Sequence, residues 1–519
     1  MCRLVLDGGI TPRLKGQLPW PETDILGSQQ SLFSPPVEEA FFMSTPHLVI
    51  VASAPTTAEL RRRRDAASLA GADLVELRLD SVADPDVEAA LADRRSPVIV
   101  TCRPEWEGGA FKDSEAERRR ILECALQQGA EYVDVEARAG FAADLIAATA
   151  GKRIVLSTHD FDGVPVDLID RVRAMRSAGA EIVKVAVMAR SLSDNLHLLQ
   201  LRRAPNTVLV GMGPAGTATR LLAAHFHSLW SYAGDGYAPG QIPASRMLDE
   251  FRFREITERT AIYGVVGSPL THSVSPAMHN AAFRAAGVDA VYVPMVASSA
   301  EDFTIFATAL AVQGVSITIP YKVDLFERAD DMDDLSRKVG AVNTYRRDAL
   351  RWEARNTDVS GFLAPLEGRI DLRGARAAIL GAGGAARAVA VALASKGAVV
   401  TVYGRNRSKA KTVAYIAGGT AASFPVPPKS WDILVNTTPV GTFPNVDETP
   451  FEGAFDGRIV YDLVYNPMET RLLKEAAGAG CDTLGGLEML VAQAEDQSEW
   501  WLGRRPPAGL MKQAALAQL

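Results

Sequence analysis

In EIVKVAVM (Glu181–Met188) three valines, Val183, Val185 and Val187, recur every second residue and share one face of a β-strand. Ile182, Lys184, Ala186 and Met188 occupy the other face. An ammonium in such an apolar run faces burial, which is costly unless the charge is paired or takes part in chemistry.

Similar short apolar runs lie on either side of it: HLVIVAS, LVELRLD, PVIVTCR, YVDVEA, RIVLSTHD and TVLVGM, with a short GYAPGQI as the eighth. Helix-like stretches separate them. Eight such units in roughly 200 residues predict a compact parallel (β/α)8 barrel over 46–250, in which one side-chain parity packs against helices and the other fills the interior. Parity sends Lys184 inward together with Glu76, Arg78 and Asp80, Thr101 and Arg103, Asp134 and Glu136, and Ser157 and His159. Alone, His159 reads as a satisfied core histidine and Glu76 with Arg78 as a structural ion pair. Together they predict a catalytic cluster at the strand C-terminal ends.

A buried lysine beside Arg78 and Arg103 is expected to have a lowered pKa and to act as a neutral amine nucleophile toward a carbonyl, forming an imine. His159 is the expected proton carrier, with Glu76 orienting it.

The ordered set ELRLD, TCRPEWEGG, STHDF, IVKVAVM, GMGPAGTATR and APGQ resembles the type I 3-dehydroquinate dehydratases over about 46–250. The resemblance implies that Lys184 forms an imine with the C3 carbonyl of 3-dehydroquinate. It implies that His159 moves the C2 proton while the C1 hydroxyl leaves as water. It also places Glu76, Arg78, Arg103 and Glu107 around the substrate hydroxyls and the histidine, Arg220 at the carboxylate and Gln241 on a closing loop. Tyr237 stands where bacterial relatives carry serine, and its ring is expected to cover the cavity.

After the charged connection LDEFRFREITERT a new pattern starts near residue 260. Ser273 and Ser275 precede Pro276 at an expected helix start, so they read either as capping hydroxyls or as ligands for a carboxylate. In ARAAILGAGGAARAVAVALASKG, Gly381, Gly383 and Gly384 lie between a strand and an Ala-rich helix, the setting of a dinucleotide-binding turn. The next strand ends in GRNRSKAK, with no carboxylate for the ribose hydroxyls. Arg405, Arg407, Lys409 and Lys411, with Asn406 among them, favour the 2′-phosphate of NADP.

SVSPAMHN, SITIPYK, GAVNT, NTDVSG, GAGGAARA, VNTTPVG, DLVYNP and GGLEMLVAQA resemble shikimate dehydrogenase over 260–519. The resemblance implies shikimate contacts from Ser273, Ser275, Thr318, Asn343, Asp358 and Gln493, with Lys322 and Asp358 handling the proton at the C3 oxygen. Ser316 and Tyr321 depart from common bacterial residues. The expected fold class is therefore α/β: an N-terminal barrel fused to a two-lobed dehydrogenase with a Rossmann NADP-binding domain. The lobes are expected at 260–364 plus 487–519 and at 365–486. Consecutive reactions are implied, from 3-dehydroquinate through 3-dehydroshikimate to shikimate. A quinate-using enzyme and a binding-only regulator are the alternatives.

The 519 residues, 47% hydrophobic and 23% charged with net charge −7, describe a globular chain and give no sign of a nucleic-acid partner. RRRR at Arg61–Arg64 reads as a solvated helix face. Cys2, Cys102, Cys124 and Cys481 lack the spacing of a zinc site or disulfide framework, so no metal and a cytoplasmic setting are expected. No apolar run is long enough to span a membrane. Residues 1–45 read as a disordered leader. Homo-oligomerisation is compatible with the sequence but not specified by it.

Overall fold

The computed structural model of the protein describes residues 45–234, 236 and 240–519. The leader expected over 1–45, apart from its last residue, and Tyr237 lie outside the described residues.

Eight parallel strands form the first sheet: β1 (His47–Ser53), β2 (Leu74–Arg78), β3 (Val98–Thr101), β4 (Tyr132–Glu136), β5 (Ile154–Asp160), β6 (Ile182–Met188), β7 (Thr207–Met212) and β8 (Trp230–Ala233). They are ordered β7-β6-β5-β4-β3-β2-β1-β8, and β1 pairs with both β2 and β8. The barrel is nearly closed: Leu229 N–H, just before β8, donates to Thr207 O at the start of β7 (3.0 Å).

Side-chain parity sorts the core. Val183, Val185 and Val187 pack in the helix-side layer with Val75 and Leu77, whereas Ile182 and Ala186 pack inside with Val49, Val51, Val208, Val210, Trp230 and Tyr232. The eighth strand corrects the sequence expectation. It is WSYA, Trp230–Ala233, whose alternate aromatics fill the barrel end, and the described residues of GYAPGQI follow it outside any strand. The RRRR reading also needs correction: Arg64 is buried, paired with Asp65 and donating to the carbonyls of Ala90 and Ala92.

The second half begins with β9 (Ala261–Gly267), β10 (Ala290–Val296), β11 (Gly314–Ile317), β12 (Asp331–Met332), β13 (Thr344–Asp348) and β14 (Arg351–Arg355), a mixed sheet ordered β10-β9-β11-β13-β14-β12. A third sheet contains β15 (Arg376–Leu380), β16 (Val399–Tyr403), β17 (Thr420–Ala422), β18 (Ile433–Asn436), β19 (Ile459–Asp462) and β20 (Asp482–Leu484). All its pairings are parallel, in the order β17-β16-β15-β18-β19-β20, the doubly wound Rossmann arrangement.

The charged connection is not a free spacer. Phe251, Phe253 and Ile256 are buried in one apolar cluster that runs from the barrel's outer layer to Val291, Val293 and Phe303 of the second half. Most of its charged side chains are exposed, Glu250 being buried and paired with Arg246, while its aromatic residues join the two halves. Among the described residues no helix is long and apolar enough to cross a membrane, and no cluster of side chains is suited to holding a metal ion.

Two candidate active sites

At the C-terminal ends of the barrel strands, Glu76, Arg78, Arg103, Glu107, His159, Lys184, Arg220 and Gln241 line one cavity of about 190 Å³ with Phe161 and Tyr232. The eight barrel residues singled out from the sequence thus come together. Lys184 Nζ lies 3.0 Å from Asp134 Oδ2 and 3.7 Å from Glu76 Oε2, and 4.6 Å from the centre of the Tyr232 ring. Arg103 bridges Asp134 Oδ1 (2.8 Å) and Glu136 Oε1 (2.7 Å) and donates to Ser157 Oγ (2.8 Å). Arg78 is held by a two-pronged bond to Asp80.

These contacts reverse the expected state of the lysine. Burial does oppose the ammonium, but Asp134 and Glu76 outweigh burial and Arg103 together, and the pKa of Lys184 is raised. Asp134 is lowered: burial opposes its charge, and Arg103 and Lys184 overcome that. Lys184 is therefore an ammonium at rest.

The orientation of His159 also differs from expectation. Its Nδ1 and backbone N–H lie 3.0 and 2.9 Å from Glu107 Oε1, so Glu107 rather than Glu76 holds the ring. Burial, then Arg103 and Lys184, push the imidazole well below its usual pKa. Burial lifts Glu107 to about 7 against the pull of Arg103. Burial also lowers Arg220 to about 10, which leaves it charged near neutral pH.

The second cavity, about 460 Å³, lies between the two lobes of the second half. Its lining includes Ser273, Ser275, Thr318, Lys322, Asn343, Asp358 and Gln493 on one side and Gly383 and Gly384 on the other. Its volume is more than twice that of the barrel cavity. Lys322 Nζ pairs with Asp358 Oδ2 (2.5 Å), while Asn343 Nδ2 donates to Asp358 Oδ1 (2.9 Å) and lies 3.1 Å from Gln493 Oε1. The helix Ser275–Ala286 has Val274 at its N-cap and no side-chain cap bond, so Ser273 and Ser275 are not capping hydroxyls but cavity residues. Tyr465 and Gln497, which the sequence reading did not select, also line the cavity.

The residues after β15 and β16 fit a dinucleotide. Gly381 has φ +118°, and a Cβ there would come within 2.5 Å of Thr437 Oγ1, so only glycine suits the turn. Gly383 caps the helix Gly384–Ser395, whose exposed N–H groups suit a pyrophosphate. A Cβ at Gly404 would lie 3.4 Å from Ala382 Cβ, which sets the turn after β16 beside this loop. Arg405, Arg407, Lys409 and Lys411 are not ion-paired among the described residues, leaving four cations for a phosphate ester. Asn406 caps the helix Arg407–Ile416 by accepting from Lys409 N–H (3.0 Å).

The family profile described as type I 3-dehydroquinase matches residues 48–258. The shikimate dehydrogenase substrate-binding domain matches 265–345, and the shikimate 5′-dehydrogenase C-terminal domain matches 486–516. The chain is 33% identical over 480 residues to the chloroplastic bifunctional 3-dehydroquinate dehydratase/shikimate dehydrogenase of Arabidopsis thaliana, covering 85% of this chain and 79% of that protein. It is 42% identical over 278 residues to the shikimate dehydrogenase (NADP(+)) of Methanothermobacter thermautotrophicus, covering 50% of this chain and 97% of that one. Among solved structures, shikimate 5-dehydrogenase from Thermus thermophilus in complex with NADP(H) and shikimate matches at 34% identity, covering 50% of this chain and 100% of that one, with TM-score 0.46.

Proposed function

The chain belongs to the bifunctional 3-dehydroquinate dehydratase/shikimate dehydrogenase family, and we propose that its two cavities perform the two reactions in succession, with Lys184 and His159 carrying the first and Lys322 and Asp358 the second. It is a lyase and an NADP-dependent oxidoreductase on one polypeptide. The observation that supports the residue roles best is the placement of Lys184 and His159 in one cavity with separate carboxylates, Asp134 and Glu76 on the lysine and Glu107 on the histidine.

Lys184 must lose a proton before it attacks. Asp134 is nearer at 3.0 Å but shared with Arg103, whereas Glu76, 3.7 Å away and carrying no other ion pair among the described residues, is assigned as the acceptor. The amine then adds to the C3 carbonyl of 3-dehydroquinate and the carbonyl oxygen leaves as water, giving an iminium. His159 takes the C2 proton, the C–H electron pair passing into the iminium to give an enamine, and returns the proton to the C1 hydroxyl, which leaves as water as the iminium re-forms. Hydrolysis of the imine releases 3-dehydroshikimate and regenerates Lys184. Arg220 holds the substrate carboxylate, Arg78 and Arg103 set the surrounding charge, and Gln241 closes the cavity.

In the second cavity Ser273, Ser275, Thr318, Asn343 and Gln493 bind 3-dehydroshikimate, and Lys322 with Asp358 delivers the proton to the C3 oxygen. NADPH, when bound, supplies the hydride. The Gly381–Gly384 turn, Asn406, Arg407 and Lys411 hold it.

The free cysteines Cys102, Cys124 and Cys481 favour a cytoplasmic enzyme, and the net negative charge favours small-molecule over nucleic-acid partners. Reduction with borohydride in the presence of 3-dehydroquinate tests the lysine. The expected result is inactivation with a substrate adduct on Lys184; inactivated protein with Lys184 unmodified would refute the assignment.

A further inference from the structure

Directly after β6, the strand of Lys184, the backbone turns through Leu192 and Ser193. Their N–H groups donate to Asp302, Leu192 to Oδ2 at 2.9 Å and Ser193 to Oδ1 at 2.7 Å. Asp302 lies in the second half of the chain, in the first turn of the helix Ala300–Ala309, and is buried. The spacing Ser299-x-x-Asp302 looks like a helix capping box, in which the acid would turn back to the N–H of Ser299. Instead its Oδ2 accepts from Ser298 N–H (2.7 Å) and Oγ (3.0 Å), and each carboxylate oxygen also accepts one barrel N–H, so the group bridges the two halves.

The contact continues toward the barrel cavity. Leu192 O accepts from Asn195 Nδ2 (2.8 Å), and the same amide group donates to Ala215 O (2.9 Å) in the helix Gly213–Leu221, which carries Arg220. Nearly every residue of this helix is buried, and it packs against β10 of the dehydrogenase half. At its start, a Cβ on Gly213 would lie 2.8 Å from Met188 Sδ, and one on Gly240 would lie 2.5 Å from Gly213 O. The helix is therefore fitted closely between β6, the Gly240 segment and the dehydrogenase half.

We propose that Asp302, a residue of the dehydrogenase half, is a positioning residue for the dehydratase: through Leu192 and Asn195 it fixes the helix that presents Arg220 to the substrate carboxylate. This rests on the carboxylate-binding role assigned to Arg220. Two convergent N–H donors require two acceptor oxygens. A carboxylate supplies both, whereas an asparagine would set its own NH2 against one of the donors. The tie nearest the dehydrogenase cavity, Tyr321 Oη donating to Ala297 O (2.6 Å), is made to a backbone carbonyl beside Ser298, which bonds Asp302, and does not itself use the Asp302 carboxylate, so the smaller effect is expected there.

Steady-state kinetics of both reactions on full-length Asp302→Asn and Arg220→Lys test the proposal. For Asp302→Asn the expected result is a five- to twentyfold rise in the KM for 3-dehydroquinate. Dehydratase kcat, borohydride trapping at Lys184 and the KM for shikimate should stay within twofold. An unchanged KM, or an equal loss of both activities, would overturn it. Arg220→Lys separates the two assignments: a raised KM there with none in Asp302→Asn sinks the role of Asp302 alone, while no rise in either removes the carboxylate clamp as well. If Asp302→Asn does not fold, Asp302→Glu, which keeps the charge on a longer arm, should show the same selective KM rise in smaller measure, and an unchanged KM there would equally overturn the proposal.

Discussion

His159 Nδ1 lies 3.0 Å from Glu107 Oε1, and the same oxygen accepts the backbone N–H of His159. When Glu107 is ionised, Nδ1 keeps its proton and donates it to the carboxylate, leaving the Nε2 lone pair available as a base. A protonated Glu107 would instead donate to Nδ1 and move the imidazole proton to Nε2. Burial raises Glu107 to about 7. The competent form therefore gains population as pH rises through about 7. Dehydratase kcat/KM should increase from pH 6 to 8 and then level off. In Glu107→Gln that limb should vanish, with kcat lower by about 10²-fold, within the usual range for a general-base contribution. A pH–rate profile for each protein checks this, and an unchanged limb in the variant would rule out Glu107 as its source.

Asp134 is fully buried and takes charge from both Lys184 and Arg103. Asp134→Asn leaves two buried cations with one fewer counter-charge. The expected cost is about 3–5 kcal/mol, the range for breaking a buried ion pair. Thermal unfolding followed by dehydratase activity and by circular dichroism should show a clear drop in midpoint. A midpoint within one degree of the parent would mean that the remaining carboxylates carry the load.

Lys322→Ala should lower dehydrogenase turnover by about 10²–10⁴-fold, the scale of positioned proton transfer, and leave dehydratase turnover within twofold. Lys184→Ala should do the reverse. Separate assays with 3-dehydroquinate and with shikimate measure both. Loss of both activities in either folded variant would point to a shared centre.

Arg407 stands at the first position of the helix after β16, without an ion-pair partner among the described residues. A charge-assisted bond to the 2′-phosphate contributes about 1.5–3 kcal/mol, or roughly ten- to a hundredfold. Arg407→Ala should raise the KM for NADPH by that factor and leave the KM for NADH nearly unchanged. Equal effects on the two nucleotides would contradict a contact with the phosphate.

Seven of the eight barrel strands were legible as short apolar runs because both faces of each are packed, and the polar residues set at every second position in several of them marked the inward parity. β8 was not. Its four residues, WSYA, are too short to show alternation, and the glycine-rich segment beyond them drew the assignment away. That error also hid Tyr232, whose ring lies against Lys184. Parity placed Lys184 in the cavity but could not give its charge state, which depends on Asp134 and Glu76 arriving from other strands at 3.0 and 3.7 Å. Glu107 belongs to a short 3-10 turn outside any strand, so no periodicity could set it over His159. In the second half, the motifs located the cavity, while Tyr465 and Gln497 became visible only once the lobes faced each other. The charge of the 246–259 connection masks four buried apolar side chains, Met247, Phe251, Phe253 and Ile256, which make it a joint.

Whether one chain carries out the two consecutive reactions is tested by a coupled assay. Purified protein is given 3-dehydroquinate and NADPH, nucleotide oxidation is followed, and the products are identified. One NADPH should be consumed per 3-dehydroquinate, with shikimate as the product. Lys184→Ala should abolish oxidation with 3-dehydroquinate yet preserve it with added 3-dehydroshikimate. Quinate as the product, 3-dehydroshikimate accumulating without NADPH oxidation, or oxidation of NADPH with 3-dehydroquinate surviving in Lys184→Ala would refute two consecutive reactions at these two sites.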